Sequence, residues 1–429
     1  MTEYVGRKIA VGIAREAVRG TAEATPEFWL RILAQNHKDK VEYLHSQGAT
    51  GTIIENSSAE VDKQWGEGGF DAEIDAESIG LLMLSLMGDV DSAASGDGYL
   101  HTFDLDETSA EHQSLTIFTT EPGRDVVYPL ACLNTLSFNF ERGKILDFSA
   151  SFLSQTGAAS SQTAAFTEQK HFRPKDFHFY LADDIAGLEA AQEVFLKTMS
   201  LEFNKNLEPD DVLGLESPRN FLNKTFSTTA SINLLYEDDT YRTYFKAGTP
   251  KAMRIKILNP NHIITAAIAA TGSFTVVDYS NLSEKTVTVG TTTLTEGTDF
   301  DAETSNEVTA TNLAAAINEL ANVNAVADGA DVDVTAATAG VAGNSIATTT
   351  NGGSDLTAAA ATLLNGADTV NDYIVFDFAR VYFSEYDEGN GRDDLKSMDI
   401  TLSFATNPEE VDIPFGQVRI LNETKSYTA

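Results

Sequence analysis

One cysteine, Cys132, in 429 residues rules out an intramolecular disulfide framework and a cysteine-built zinc site. It sits in an apolar run before Leu133, the setting of a buried small hydrophobe rather than a nucleophile. No apolar run reaches the roughly 18 residues of a helical membrane span. The opening Met1-Thr2-Glu3 has no signal-peptide character, so the expectation is a chain made and folded in the cytoplasm with no membrane partner. Basic residues are scarce, 29 against 64 acidic, for a net charge of -35. That balance disfavours a protein that grips nucleic acid by neutralising phosphates. It suits a surface that sticks to neither DNA nor membranes, and equally a merely soluble acidic protein.

Groups arranged for chemistry are also missing. The histidines at 37, 45, 101, 112, 171, 178 and 262 form no HExxH frame. The acidic doublets Asp183-Asp184, Asp210-Asp211, Asp238-Asp239 and Asp393-Asp394 would point to opposite faces of an extended chain, which suits turns better than a paired acid and base. Gly340 to Gly343 lacks the spacing and lysine of a phosphate loop. Asp331-x-Asp333 and the acidic stretch Asp387 to Asp394 offer oxygens for calcium, but neither reproduces an EF-hand loop. No catalytic residue, cofactor or metal site is therefore expected.

What the chain does have is alternation. Its 42% hydrophobic content supports folded domains, about three on a prior of roughly 150 residues each. From Ala59 to Gly88, AEVDKQWGEGGFDAEIDAESIGLLMLSLMG, a two-residue hydrophobic period hands over to a helical one. Phe70, Ala72 and Ile74 alternate with Asp71, Glu73 and Asp75, giving a strand with one wet side. Asp75 then caps a helix from about Ala76 to Met87, with Ile79, Leu82, Met83 and Leu86 in one stripe and Gly88 as its close. Upstream, Tyr4 to Ile13 reads as an extended N-terminal arm, and Glu27 to Leu44 fits helix and strand equally. Downstream, Asp89 to Gly98 reads as a loop, with strands at Tyr99 to Asp106 and Leu115 to Thr119.

The clearest hairpin follows. Leu136, Phe138 and Phe140 alternate with Ser137, Asn139 and Glu141; beyond Arg142-Gly143, Leu146, Phe148, Ala150 and Phe152 alternate with Asp147, Ser149 and Ser151. One face is oily and the other small and polar. Ala158 to Gln169 reads as a linker. Past it, Met199 to Asn204 echoes Leu136 to Glu141, and Thr225 to Tyr236 returns as a strand, which suggests a duplicated plan. Between Thr286 and Val370 there are eleven acidic residues and no Lys or Arg. This stretch reads as a separate module: Thr-rich strands around Gly290, a helix from about Val308 to Ala321, and a strand at Val332 to Ala336. Strands at Tyr373 to Tyr386 and Ser397 to Ala405, with a hairpin signal at Asn390-Gly391, make the module an insertion into a sheet.

The order of these segments resembles the tail tube (major tail) proteins of long-tailed bacterial and archaeal viruses. The stretches that carry the likeness are VGIAREAVRGTAEATPEFWL (Val11 to Leu30), the strand-to-helix run at Ala59 to Gly88, and YPLACLNTLSFNFERGKILDFSASFLSQTG (Tyr128 to Gly157). The inserted stretch is similar to a small module that recurs in virion proteins.

The fold expected is mainly β, a β-sandwich or barrel with covering helices. It would comprise a duplicated tail-tube-like domain (1–157, then 171–274 with 370–429, joined by a linker at 158–170) and a small α+β module at 275–369. The resemblance implies a structural virion protein that assembles in the host cytoplasm into stacked rings, a conduit for viral DNA during ejection. It further implies contacts with other copies and with tail proteins such as the tape measure and terminator; the duplicated plan puts two equivalent wedges in one chain, which favours a trimer of pseudo-sixfold symmetry over a hexamer. Its hairpins would line the channel through Ser137, Asn139, Glu141, Asp147, Ser149 and Ser151, and through Ser200, Glu202 and Asn204. A β-rich adhesin or binding module and, further off, a carbohydrate-active enzyme are the alternatives.

Overall fold

The computed structural model describes residues 5–48, 51, 53, 58–167, 171–389, 395–410 and 413–428. The turn expected at Asn390-Gly391 and the doublet Asp393-Asp394 lie outside them. Strand dominates, and the chain divides into two compact units, Met1–His262 with Asn371–Ala429, and Ile263–Val370.

The first unit opens with β1 (Ala10–Arg15), β2 (Phe28–Leu30), β3 (Ile32–Gln35), β4 (Lys38–His45) and β5 (Ala59–Glu73). Then come α1 (Ile79–Met87), β6 (Gly88–Ser95), β7 (Gly98–Leu105), β8 (Leu115–Glu121), β9 (Arg124–Glu141), β10 (Asp147–Ser154) and the short β11 (Ala158–Ala159). Two local expectations need correction, and one open reading is resolved. Residues 10–15 are not an arm: β1 lies between β2 and β8, with Val11 and Ile13 fully buried. The stretch 89–98 is not a loop, because β6 pairs along its length with β7; its residues are small, none is buried and Val90 alone packs on the core, so no apolar alternation marks it. The segment that fitted helix and strand equally is strand, in β2, β3 and β4.

Helix α1 begins at Ile79 rather than Ala76, and all its residues are buried, not one stripe alone. The Asp75 carboxylate accepts from the Glu77 and Ser78 amides at 3.3 and 3.2 Å in the turn before it. Gly88, at φ 95°, closes it with its N–H on the Leu84 carbonyl, a left-handed position that costs a glycine little. A helix end inside a core needs partners for its last carbonyls. Lys205 Nζ donates to the Ser85 carbonyl and His112 Nδ1 to that of Leu86, both at 2.8 Å.

The chain continues through β12 (Phe177–Ala182), β13 (Thr198–Asn204), β14 (Glu208–Pro209), β15 (Phe221–Leu222), β16 (Ser227–Leu235), α2 (Thr240–Ala247) and β17 (Lys251–Thr265). Helix α2 escaped sequence reading: none of its residues is buried, and it ends at another left-handed glycine, Gly248. The second unit carries β18 (Thr271–Val276), β19 (Thr286–Val289), β20 (Thr292–Thr295), α3 (Asn306–Asn318), β21 (Val323–Asp328), β22 (Asp331–Ala336), β23 (Thr348–Thr350) and β24 (Leu356–Ala358). Its sheets run β21–β22–β18–β24 and β20–β19–β23. The Ser305 hydroxyl caps α3, which buries Ala310, Leu313, Ala314 and Ile317 in a core of its own.

The first unit is completed by β25 (Val370–Gly389), β26 (Ser397–Phe404) and β27 (Gly416–Asn422). One antiparallel sheet runs β5–β10–β9–β13–β16–β26–β25. The same connectivity occurs twice in it. A strand leads into a helix closed by a left-handed glycine, and a later hairpin inserts its returning strand beside the first, β10 between β5 and β9, β26 between β16 and β25. The N-terminal half of β25 turns away to pair with β27, which pairs with β7. Phe376 on that half meets Phe138 at 5.5 Å and Phe203 at 6.4 Å, so both halves share one core.

Candidate channel-lining surface

The face of this sheet opposite the core is polar across its width. Alternation dictates it: every second residue of each strand is apolar and turned inward, so the remainder must share the other face. Register then aligns them. Asp71, Ser149, Ser137, Glu202, Thr229 and Ser403 form one rank across the strands, and Glu73, Asp147, Asn139, Ser200, Ser231 and Thr401 the next. On one flank lie Glu141, Thr198, Asn233 and Asp399; on the other, Ser151, Thr135, Asn204 and Ser227. All nine expected residues fall on this one face.

Six carboxylates (Asp71, Glu73, Glu141, Asp147, Glu202, Asp399) and no Lys or Arg stand in these ranks. Lys144, in the turn between β9 and β10, lies 3.1 Å from both Glu141 and Asp147, whose carboxylates hold its ammonium above the usual lysine range. Short side chains bond among themselves, Thr135 Oγ1 to Ser151 Oγ and Asn233 Nδ2 to Asp399 Oδ1, both at 2.6 Å. The face is thus small, hydroxylated and acidic. Sequence reading did not extend it to Thr229, Ser231, Asn233, Asp399, Thr401 and Ser403. The alternation of β16 and β26 carried the signal, but their register to the first hairpin did not show.

Other polar groups are spent on structure. Glu16 is buried and its carboxylate accepts from Leu130 N and Ser114 Oγ at 2.6 Å and Gly20 N at 2.7 Å; burial pushes its pKa up. Cys132 is buried with Arg19 Nη2 3.3 Å from its sulfur, and burial raises the thiol. Asp377 is clamped by Arg254 and Arg419 at 2.6 and 2.7 Å. Among the described residues no three His, Cys, Asp or Glu side chains converge as a metal would require. Asp331 instead accepts from Thr275 Oγ1 at 2.6 Å. Also among the described residues, no helix is long and apolar enough to cross a membrane.

A sheet with one oily face and one broad polar face is the main feature of the first unit. A family model for phage tail tube proteins matches residues 6–290, and the chain belongs to that family. It is a structural protein of the virion tail. No curated protein matches the chain.

Proposed function

We propose that this polar face walls a channel: chains self-assemble into rings, the rings stack into the tail tube, and viral DNA passes through it during ejection. The observation that carries this reading is the continuous small, acidic face built jointly by both halves of the first unit. Duplex DNA bears one negative charge per about 1.7 Å, so lysine contacts repeated from ring to ring would sum to a trap. Carboxylates repel it and hydroxyls bring no positive charge to neutralise its phosphates, and the field of the carboxylates decays over about 8 Å at physiological salt, leaving the path open. Ser137, Asn139, Glu141, Asp147, Ser149, Ser151, Ser200, Glu202 and Asn204 are the lining residues of this proposal.

Because one chain carries the strand set twice, three chains make a ring of pseudo-sixfold symmetry. On this reading 1–157 and 171–274 with 370–429 are two tail-tube-like domains joined by the linker 158–170, and 275–369 is an inserted module. Other tail proteins, such as the tape measure and terminator, are the further partners on this reading, and assembly takes place in the host cytoplasm. Reconstruction of tubes grown from the purified chain, with a DNA-binding assay at low salt, tests the proposal. The expected result is an acidic bore without DNA affinity. A net basic inner surface, or tight low-salt DNA binding by the tubes, overturns it.

A further inference from the structure

If the sheet continues from chain to chain, the molecule carries a template for the joint, because β9 of its first half already pairs with β13 of its second. We propose that the free edge of β25 pairs antiparallel with the free edge of β3–β4 in a second copy of this chain, with Glu385 opposite Lys40, Asp387 opposite Lys38 and Gly389 opposite Asn36. The proposal rests on the ring reading above and specifies its contact.

The internal repeat sets this register. Asn139 faces Asp147 in the first hairpin and Gly389 faces Ser397 in the second, so both members correspond at a shift of 250 positions. Asp147 also faces Glu73, and Ser397 faces Leu235, which makes β5 and β16 correspond at a shift of 162. The helices that follow agree within two positions, since their closing glycines are Gly88 and Gly248. On the far edge of β5, Gln35 faces Phe70 and Lys38 faces Glu67. On the far edge of β16, Ser200 faces Ser231 and Glu202 faces Thr229. Asn36, Lys38 and Lys40 therefore correspond to Ser200, Glu202 and Asn204. Within the chain those three lie opposite Asn139, Ser137 and Thr135, whose counterparts are Gly389, Asp387 and Glu385.

No charge entered that derivation, yet it brings two lysines onto two carboxylates on the same face of the sheet. Glu385, Asp387 and Lys38 are exposed and Lys40 half-buried. Among the described residues neither lysine has an acidic partner in its own chain. Both edges are open there as well. Strands β3 and β4 pair with β5 alone. Residues 385–389 of β25 pair with β26 on one side. Strand β17 also pairs with β25, and it starts at Lys251; the Asn371 side-chain amide donates to its His262 carbonyl near the start of β25, so an antiparallel course carries its first residue only to about 382.

The geometry also suits closure. The rank through Glu73 and Asn139 reaches Ser231, four residues short of Glu73's counterpart Leu235, over the four-strand width of one repeat. A stagger of about one residue per strand is that of an eight-stranded barrel of shear 8, whose strands tilt about 36°. The opposite face differs between the two joints. Inside the chain it is oily, Phe138 against Leu201 and Phe140 against Met199. Between copies Tyr386 meets Asp39 and Glu388 meets His37, so the contact lacks an apolar layer and forms at assembly rather than during folding.

The test uses the full chain with Lys38→Cys and Asp387→Cys, assembled and mildly oxidised. Strand partners lie within disulfide range whether or not they are hydrogen-bonded. Interchain dimers and higher rungs are expected on a non-reducing gel, and few from the off-register pair Lys38→Cys with Gly389→Cys. Tubes that form without the cross-link, or cross-link better off register, overturn the joint while leaving the channel reading intact. A chain that stays monomeric overturns both. A second arm does not rely on disulfides. Lys38→Glu with Lys40→Glu should raise the concentration needed for assembly roughly tenfold, and adding Glu385→Lys and Asp387→Lys to the same chain should restore it. Failure of that rescue overturns the register.

Discussion

Lys205 is buried beneath α1, where burial pushes its pKa down to about 7, with Arg19 adding repulsion and Cys132 opposing the shift. The unfolded chain holds the same proton to about pH 10.4, so between those values it binds more protons than the folded chain, and stability rises with pH. The contribution is present above the unfolded value and lost as pH falls through about 7. Denaturant unfolding at about pH 7 and about pH 9 should show the higher free energy at the higher pH, with a slope approaching ~1.4 kcal/mol per pH unit. Lys205→Met should flatten that slope; an unchanged slope would assign it to other groups. His112 beside it is itself held low by burial and so titrates below this window. Glu16 acts through geometry, since its carboxylate receives the amide of Leu130, a non-glycine residue at φ 52°. Glu16→Ala strands three short donors in the interior and should cost about 3 kcal/mol or more in thermal or denaturant unfolding. Glu16→Gln, which keeps an acceptor, should cost less.

At the scale of elements, legibility follows burial. The hairpin β9–β10 was readable because each strand has one face in the core and one out of it, so its alternation survives in the sequence. Helix α1 was placed but not its surroundings: a stripe of Ile79, Leu82, Met83 and Leu86 says that one side is covered, and only the fold shows that Leu81 and Leu84 are buried too. Strand β6 and helix α2 were missed for a shared reason, since elements that bury little need no hydrophobic period. The candidate surface divides similarly. Each strand's polar face was legible, while the pairing of β9 with β13, between segments some sixty residues apart, depends on a register that no local pattern encodes. The burial of α1 gives a direct test. Leu82→Ala should lose about 2–5 kcal/mol, whereas Leu215→Ala, at an exposed position, should change stability by no more than about 0.5 kcal/mol. Equal effects in denaturant titrations would contradict the central place of this helix.

At the scale of the molecule, each unit has its own core, so removing one should spare the other. Replacing Ala266 to Thr369 by a short Gly-Ser loop should leave a chain that folds and assembles, because loop closure changes slowly with length; loss of tubes would make Ile263–Val370 part of the assembly contact. Ring size can be read from charge. Consider one variant with Lys38→Glu and Lys40→Glu, and a second with Glu385→Lys and Asp387→Lys. Either alone sets like charges against each other at every joint, whereas a joint between the two is complementary in both directions. A ring with an even number of chains can alternate them without a fault. A ring of three cannot, since at least one neighbouring pair must be of the same kind. An equimolar mixture should therefore assemble better than either variant alone but less well than a single chain carrying all four substitutions, as light scattering against protein concentration would show. A mixture that matches the four-substitution chain would mean an even-numbered ring, and the pseudo-sixfold trimer would fall with it.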